Sequence, residues 1–410
     1  HTVVGRMNDF DVARIRARMP ALASGVAFFD GPGGTQLPDV VADAMRTAMT
    51  EPLSNRGTMT QSERNAESIV HGSRLAAADL LGCDPAGVVF SRSMTEATFM
   101  VARTLANDWG PGDRVVVTDL DHDANVRPWV RYAEKAGAEV AWARLDPTTG
   151  ELPTSHIVNQ ITDNTRLVAV TGASNVLGTR PDLPVIAEAA HAVNALFFVD
   201  GVHLTAHAPI DVGQIGADFY ACSAYKFLGP HLGIVAASSA LWESLHPDKL
   251  APSTEQVPER FELGTLPYEL LAGLIAAVDV LADLVPGGET SMTRRDRLVR
   301  SMTALAEHED RLHARLRSAL EDLPGITVYA NARRRTPTEF FTIDGWDSAE
   351  LARRLADKQI NAPADSFYAY EPCRSLGLGS GGAIRAGLAP YTDETDVDRL
   401  IAALRDIVVT

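Results

Sequence analysis

The chain has 410 residues, 46% of them apolar and 22% charged, and a net charge of −16. That length suits a large domain plus a smaller one, and the acidic balance argues against a nucleic-acid partner, whose binders carry a basic face. No apolar run is long enough to cross a bilayer, so no membrane partner is expected. Cys83, Cys222 and Cys373 stand at unrelated spacings, which gives no disulfide framework and suits a reducing, cytoplasmic setting. The first methionine is Met7, and residues 1–6 are read as a non-native leader outside the fold argument.

Asp9 to Met19 has the spacing of a short amphipathic helix, and Val26 to Asp30 reads as a strand entering the loop Gly31-Pro32-Gly33-Gly34. Pro38 to Met49 and Gln61 to Leu81 carry apolar residues at helical spacing. Val88 to Phe90 reads as a buried strand, followed by Ser93-Met94-Thr95-Glu96, a capping box ahead of the run Ala97 to Leu105. A helix start of this kind suits a phosphate, although an ordinary cap has the same sequence.

Alternation follows. Strands at Arg114 to Thr118, Val140 to Leu145, Leu167 to Thr171 and Leu196 to Val199 are separated by helical runs at Ala124 to Lys135, Thr154 to Ile161 and Leu183 to Val193. This predicts an α/β fold with a mostly parallel, doubly wound sheet, which binds ligands beyond the carboxyl ends of its strands. Just past those ends stand Ser93 to Thr95, Asp121-His122, Ser174-Asn175, Asp200 to His203 and Ser223 to Lys226. Pro286-Gly287-Gly288 marks a boundary, beyond which helices (Ser291 to Leu320, Ser348 to Gln359, from Thr395) and strands (Ile326 to Tyr329, Phe340 to Ile343, Ala383 to Ala386) predict a smaller α+β domain. The expected division is 1–30 as a segment packing with the small domain, 31–287 as the large domain and 288–410 as the small one.

Only four of the 37 basic residues are lysines, at 135, 226, 249 and 358. Lys226 alone lies between two aromatics, in Cys222-Ser223-Ala224-Tyr225-Lys226-Phe227-Leu228-Gly229-Pro230. A desolvated amine in such a loop can attack a carbonyl, and a surface lysine on a turn is the plainer alternative.

Asp200-Gly201-Val202-His203, upstream of Ser223-Ala224-Tyr225-Lys226, resembles the signature of fold-type I enzymes that use pyridoxal 5'-phosphate (PLP). With Phe29-Asp30-Gly31-Pro32-Gly33-Gly34-Thr35, Asn55-Arg56-Gly57-Thr58, Asp121-His122-Asp123-Ala124-Asn125, Ser174-Asn175-Val176-Leu177-Gly178-Thr179, Phe261-Glu262-Leu263-Gly264-Thr265 and Ile384-Arg385, the chain is similar to the class V aminotransferase family, in its cysteine desulfurase and selenocysteine lyase branch. The resemblance implies PLP carried by Lys226 as a Schiff base, Asp200 on the pyridine nitrogen and His122 stacked on the ring. It implies Asn175 and His203 on the phenolic oxygen, and Ser93, Met94, Thr95, Ser223 and Tyr225 around the phosphate. Thr265 matches a residue that reaches the neighbouring subunit's phosphate, which implies a homodimer with shared sites. Arg385 matches the arginine that grips the α-carboxylate of a small amino-acid substrate, although a structural ion pair would also suit it.

The implied reaction is that of an aminotransferase or a desulfurase-like lyase. A true desulfurase with Cys373 as persulfide carrier, or an epimerase, is the alternative. Desulfurases usually carry glutamine in place of His203 and histidine in place of Tyr225, and Cys373 lies nearer to Arg385 than their thiol does; a partly buried loop cysteine without a catalytic role fits it better. Cys222, on a strand, is expected to be packed. Gly377-Leu378-Gly379-Ser380-Gly381-Gly382 matches GxGxxG but precedes a strand, so an NAD-dependent oxidoreductase is a distant reading and the segment is expected to be a loop over or beside Arg385. His203 and His207 have a spacing that could hold zinc on a helix, but the surrounding loop argues against a metal site. A non-catalytic PLP-fold binding protein would be expected to lack Lys226, Asp200 or Arg385, all of which are present.

Overall fold

The structure, a computed structural model, describes residues 10–409. The reading of residues 1–6 and the starts at Met7 and Asp9 lie outside the described residues. Seven strands form the central sheet: β1 (Val88–Ser91), β2 (Arg114–Thr118), β3 (Glu139–Ala143), β4 (Thr165–Thr171), β5 (Leu196–Asp200), β6 (Phe219–Ser223) and β7 (Gly233–Ala237). Their spatial order is β1-β7-β6-β5-β4-β2-β3. β3, β2, β4, β5 and β6 run parallel, and β7 is antiparallel to both β6 and β1. Two reversals bring β1 back to the sense of β6. All strands except β7 therefore end on one edge of the sheet.

The strands are apolar on both faces because helices cover both. Along β5, Phe197 and Val199 enter one core and Phe198 the other, and all three are fully buried. Burial of each such side chain contributes about 1.5–3 kcal/mol. The sequence reading assigned no strand or helix between Lys226 and Pro286. That interval holds β7 and the helix Tyr268–Ala282, which packs between helices Asp39–Thr50 and Gln61–Leu81. Both are nearly continuous apolar runs, in which the polar residues that would reveal a period are too few.

A four-stranded antiparallel sheet lies in the C-terminal part, in the order Ala364–Asp365, Ala383–Gly387, Thr338–Ile343, Ile326–Val328. The strand Ala27–Phe28 pairs in parallel with Ile360–Asn361, and Asp30 bridges Gly387. The N-terminal segment is thereby tied to chain more than 300 residues away. The expected helix up to Met19 is only Val12–Arg16, and a 3-10 turn starts at Pro20, where the missing N–H stops helix growth. Among the described residues no helix is long and apolar enough to cross a membrane.

Candidate active site

The common strand edge opens on a cavity of about 610 Å³. Met94, Thr95, His122, Asn175, Asp200, His203, Ser223, Tyr225, Lys226 and Arg385 all line it. Of the sequence candidates, Ser93 sits just behind the lining and Thr265 lies exposed outside it.

On the floor, Lys226 follows β6 in a single 3-10 turn. Its Nζ donates to the carbonyls of Pro32 and Gly33, the latter at 2.9 Å, and sits 4.6 Å from the Tyr225 ring centroid. Burial, then the charge of Arg385, lowers the amine to about 7, against the pull of Asp30 and Asp200. Asp200 ends β5, and its Oδ1 accepts from Val202 N at 2.9 Å. Burial raises its carboxyl to about 6, with the Val202 N–H and Lys226 opposing. An amine lowered and a carboxyl raised within one cavity are the marks of a reactive centre.

His122 follows β2. Its Nδ1 accepts from Ala124 N at 3.0 Å, which orients the ring, and burial with Lys226 nearby lowers it to about 4. The imidazole is therefore neutral, a flat aromatic face. Beneath it Asp121 is buried, with Thr118 Oγ1 on one oxygen and Asn125 Nδ2 on the other at 2.7 Å. Burial raises this carboxyl to about 8, against the pull of those two hydrogen bonds.

At the end of β1, Ser93 Oγ accepts from Glu96 N at 3.1 Å, capping the helix Met94–Leu105. Glu96 closes instead on Arg92 N and Ser91 Oγ, so only half of the expected capping box forms. Ser223 Oγ accepts from Met94 N at 3.3 Å, joining β6 to this helix start. Tyr225 is half-buried and stacks on His231 with centroids 4.6 Å apart.

The far wall comes from the small sheet. Arg385 is buried; its Nη2 donates to Asp30 Oδ1 at 2.6 Å and its Nη1 to Asn175 O at 3.3 Å, while the Phe367 ring lies 3.7 Å from its Cζ. Asn175 Nδ2 donates to Phe367 O at 2.9 Å. Asn175 Oδ1 and Arg385 Nε are buried without a protein partner. His203 Nε2 is engaged by the hydroxyls of Thr336 (2.8 Å) and Thr338 (3.2 Å), which leaves Nδ1 for a ligand. His207 Nδ1 meets buried Glu309 at 2.8 Å, and its ring lies edge-on to that of His203 with centroids 4.8 Å apart.

Cys373 corrects the expectation of a partly buried loop thiol. It lies on a short helix, Tyr370–Ser375, with 1% exposure and outside the cavity lining. Burial, then Asp365, pushes its thiol up to about 11. Cys222 is packed on β6, as expected. None of residues 377–382 lines the cavity, so the glycine loop is not its cover.

Sequence reasoning missed Asp30, Asp365, Phe367 and Tyr368, all of which line the cavity. Phe367 and Tyr368 are consecutive non-glycine residues in the left-handed region (φ 54° and 57°), a conformation that costs about 1–2 kcal/mol each. Three contacts over-determine it: Asn175 on Phe367 O, Asp123 N on Tyr368 O at 2.8 Å, and the Tyr368 ring stacked on His122 at 5.5 Å. The signals available were Asp30 in its Gly/Pro motif and aromatic residues close ahead of Arg385. The loop bearing Thr265 is anchored by buried Glu262, which holds Arg74 at 2.7 Å and Phe90 N at 2.9 Å.

A family model described as aminotransferase class-V matches residues 27–400. A Mycobacterium tuberculosis protein, MT3887, is 33% identical over 97% of this chain and 99% of its own length. The cysteine desulfurase CsdA of Escherichia coli is 29% identical over 97% of this chain and 98% of its own. A CsdA crystal structure superposes with a TM-score of 0.85 at 26% identity, covering 98% and 99% of the two chains. A Thermococcus onnurineus cysteine desulfurase shares the fold, with a TM-score of 0.87 at 23% identity over 97% and 98%.

Proposed function

We propose that this chain, which belongs to the class V aminotransferase family, is a PLP-dependent enzyme that uses Lys226 as cofactor anchor to act on a small α-amino acid. The carrying observation is the lowered amine of Lys226 and the raised carboxyl of Asp200 in one cavity whose opposite wall presents Arg385. The unpartnered Asn175 Oδ1, the flat His122 ring and the capped helix start at Ser93 fit an aromatic ring that carries a phosphate. When bound, PLP supplies an electron sink for charge at the substrate's Cα.

Each residue then has a task. Asp200 keeps a proton on the ring nitrogen, and His122 covers the ring face. Asn175 and His203 would hold the ring at its phenolic oxygen. Ser93 fixes the helix start at which Met94 and Thr95, with Ser223 and Tyr225, hold the phosphate. Arg385 takes the α-carboxylate through its charged fork. Lys226, poised near neutrality, moves the Cα proton as general base. Thr265, exposed in a single chain, supports a homodimer in which it completes the partner's phosphate site. We also propose the division at residues 31–287 and 288–410, with residues before 31 packing on the smaller unit, and a cytoplasmic setting suited to three free cysteines.

Cys83, Cys222 and Cys373 all lie outside the cavity lining. This favours transamination, or elimination that places no persulfide on the chain. Incubating the PLP-loaded enzyme with a panel of amino acids, with the visible spectrum and sulfide followed together, separates them. Transamination converts the cofactor to its pyridoxamine form after one amino acid, whereas elimination leaves PLP regenerated. Sulfide release that Cys373→Ala abolishes would reverse this placement of the thiol.

A further inference from the structure

We propose that Asp30 is a built-in stand-in for the substrate's α-carboxylate, holding Arg385 until a substrate carboxylate displaces it. This rests on the functional reading above, in which Arg385 receives that carboxylate. Bidentate approach to a guanidinium uses Nη2, paired with either Nε or Nη1. Here Asp30 Oδ1 takes Nη2 at 2.6 Å, Asn175 O faces Nη1 at 3.3 Å, and the buried Nε has no partner. Phe367 covers one face of the group, so a carboxylate arrives in the guanidinium plane and competes for Nη2. Two carboxylates on one nitrogen repel, so Asp30 and an arriving carboxylate weaken each other's hold on Nη2, and the incoming one binds best when Asp30 swings away. Asp30 can move: its side chain is 31% exposed, against 2% for Arg385.

Departure of Asp30 is also felt in its own turn. Gly33 N and Gly34 N donate to Asp30 O at 2.9 and 3.0 Å, closing a turn. A Cβ at Gly33 would lie 2.4–2.6 Å from the Asp30 carboxyl group, so the side chain is folded back over its own turn. The carbonyls of Pro32 and Gly33 in that turn accept from Lys226 Nζ. One turn therefore holds Arg385 through the Asp30 side chain and, until the cofactor takes the amine, Lys226 through its carbonyls.

The test is calorimetric titration of the PLP-loaded enzyme with propionate, which has a carboxylate but no amine. Asp30→Asn and Asp30→Ala are expected to bind propionate about fivefold more tightly than the parent, and Arg385→Gln to lose the binding. Unchanged or weaker binding in the Asp30 variants overturns the proposal, because Asp30 would then orient Arg385 and not block it. A readout free of substitutions is hydrogen exchange in the parent. Saturating propionate should speed exchange at the Gly33 and Gly34 amides, and unchanged exchange likewise overturns the proposal. The visible absorbance of the same samples reports the cofactor independently. A missing chromophore counts against the functional reading, and a wrong-signed binding change counts against Asp30 alone.

Discussion

The floor and the far wall of the cavity are built in opposite ways. The floor is a row of strand ends: the adjacent strands β6, β5, β4 and β2, and β1 across the antiparallel β7, finish on one edge of a hydrogen-bonded sheet and deliver Lys226, Asp200, Asn175, His122 and Ser93. The wall is assembled from distant chain, with Asp30 meeting Arg385 355 residues later and Asn175 meeting Phe367 192 residues later. Sheet pairing fixes the floor before any ligand arrives. The wall depends on a few side-chain contacts, a buried charge pair and a strained two-residue turn. The floor is thus suited to chemistry that all members of such a fold could share, and the wall to the choice of substrate.

Substitutions should divide along the same line. The largest effect is expected on the floor: Lys226→Ala should remove the visible absorbance gained with PLP and lower turnover about 10²- to 10⁴-fold, with thermal stability little changed. A pH series sharpens this. Because burial and Arg385 lower Lys226 to about 7, the amine is cationic and unreactive below that value and neutral above it. Capture of PLP should therefore rise through about pH 7 and level off, measured as the rate of absorbance gain, whereas an ordinary solvated lysine would keep rising well beyond it. On the wall, Phe367→Leu removes the ring over Arg385 and should raise KM about tenfold with kcat nearly constant, the size of a desolvated cation–π contact. An equal fall in kcat would mean that the wall also takes part in the chemical step. The smallest effect is expected at Cys373→Ala: activity within about twofold and a stability loss of about 1 kcal/mol from a small buried cavity, read by kinetics and thermal melting.

The sequence made the floor legible because alternating strands and helices place their loops predictably, so Asp200, His122 and Lys226 could be put at one sheet edge from position, while the roles expected of them came from the resemblance. Arg385 was legible only through resemblance. Its partner Asp30 was not, since nothing local signals a contact across 355 residues. The left-handed pair Phe367-Tyr368 contains no glycine or asparagine to advertise it, and tertiary contacts impose it. β7 escaped because five apolar residues have no period, and its antiparallel sense is a property of the sheet. For Cys373, spacing to Arg385 identified the right neighbourhood and said nothing of burial; packing on Tyr370–Ser375 removes it from the cavity.

The central claim is that the strand-end floor makes Lys226 the one amine that captures the cofactor. Borohydride reduction of the protein loaded with PLP, followed by peptide mass mapping, tests it most directly. The account predicts a single phosphopyridoxyl-modified peptide containing Lys226, lost in Lys226→Ala, with Lys135, Lys249 and Lys358 unmodified. A label on any of those three in place of Lys226, or no label at all, would contradict it.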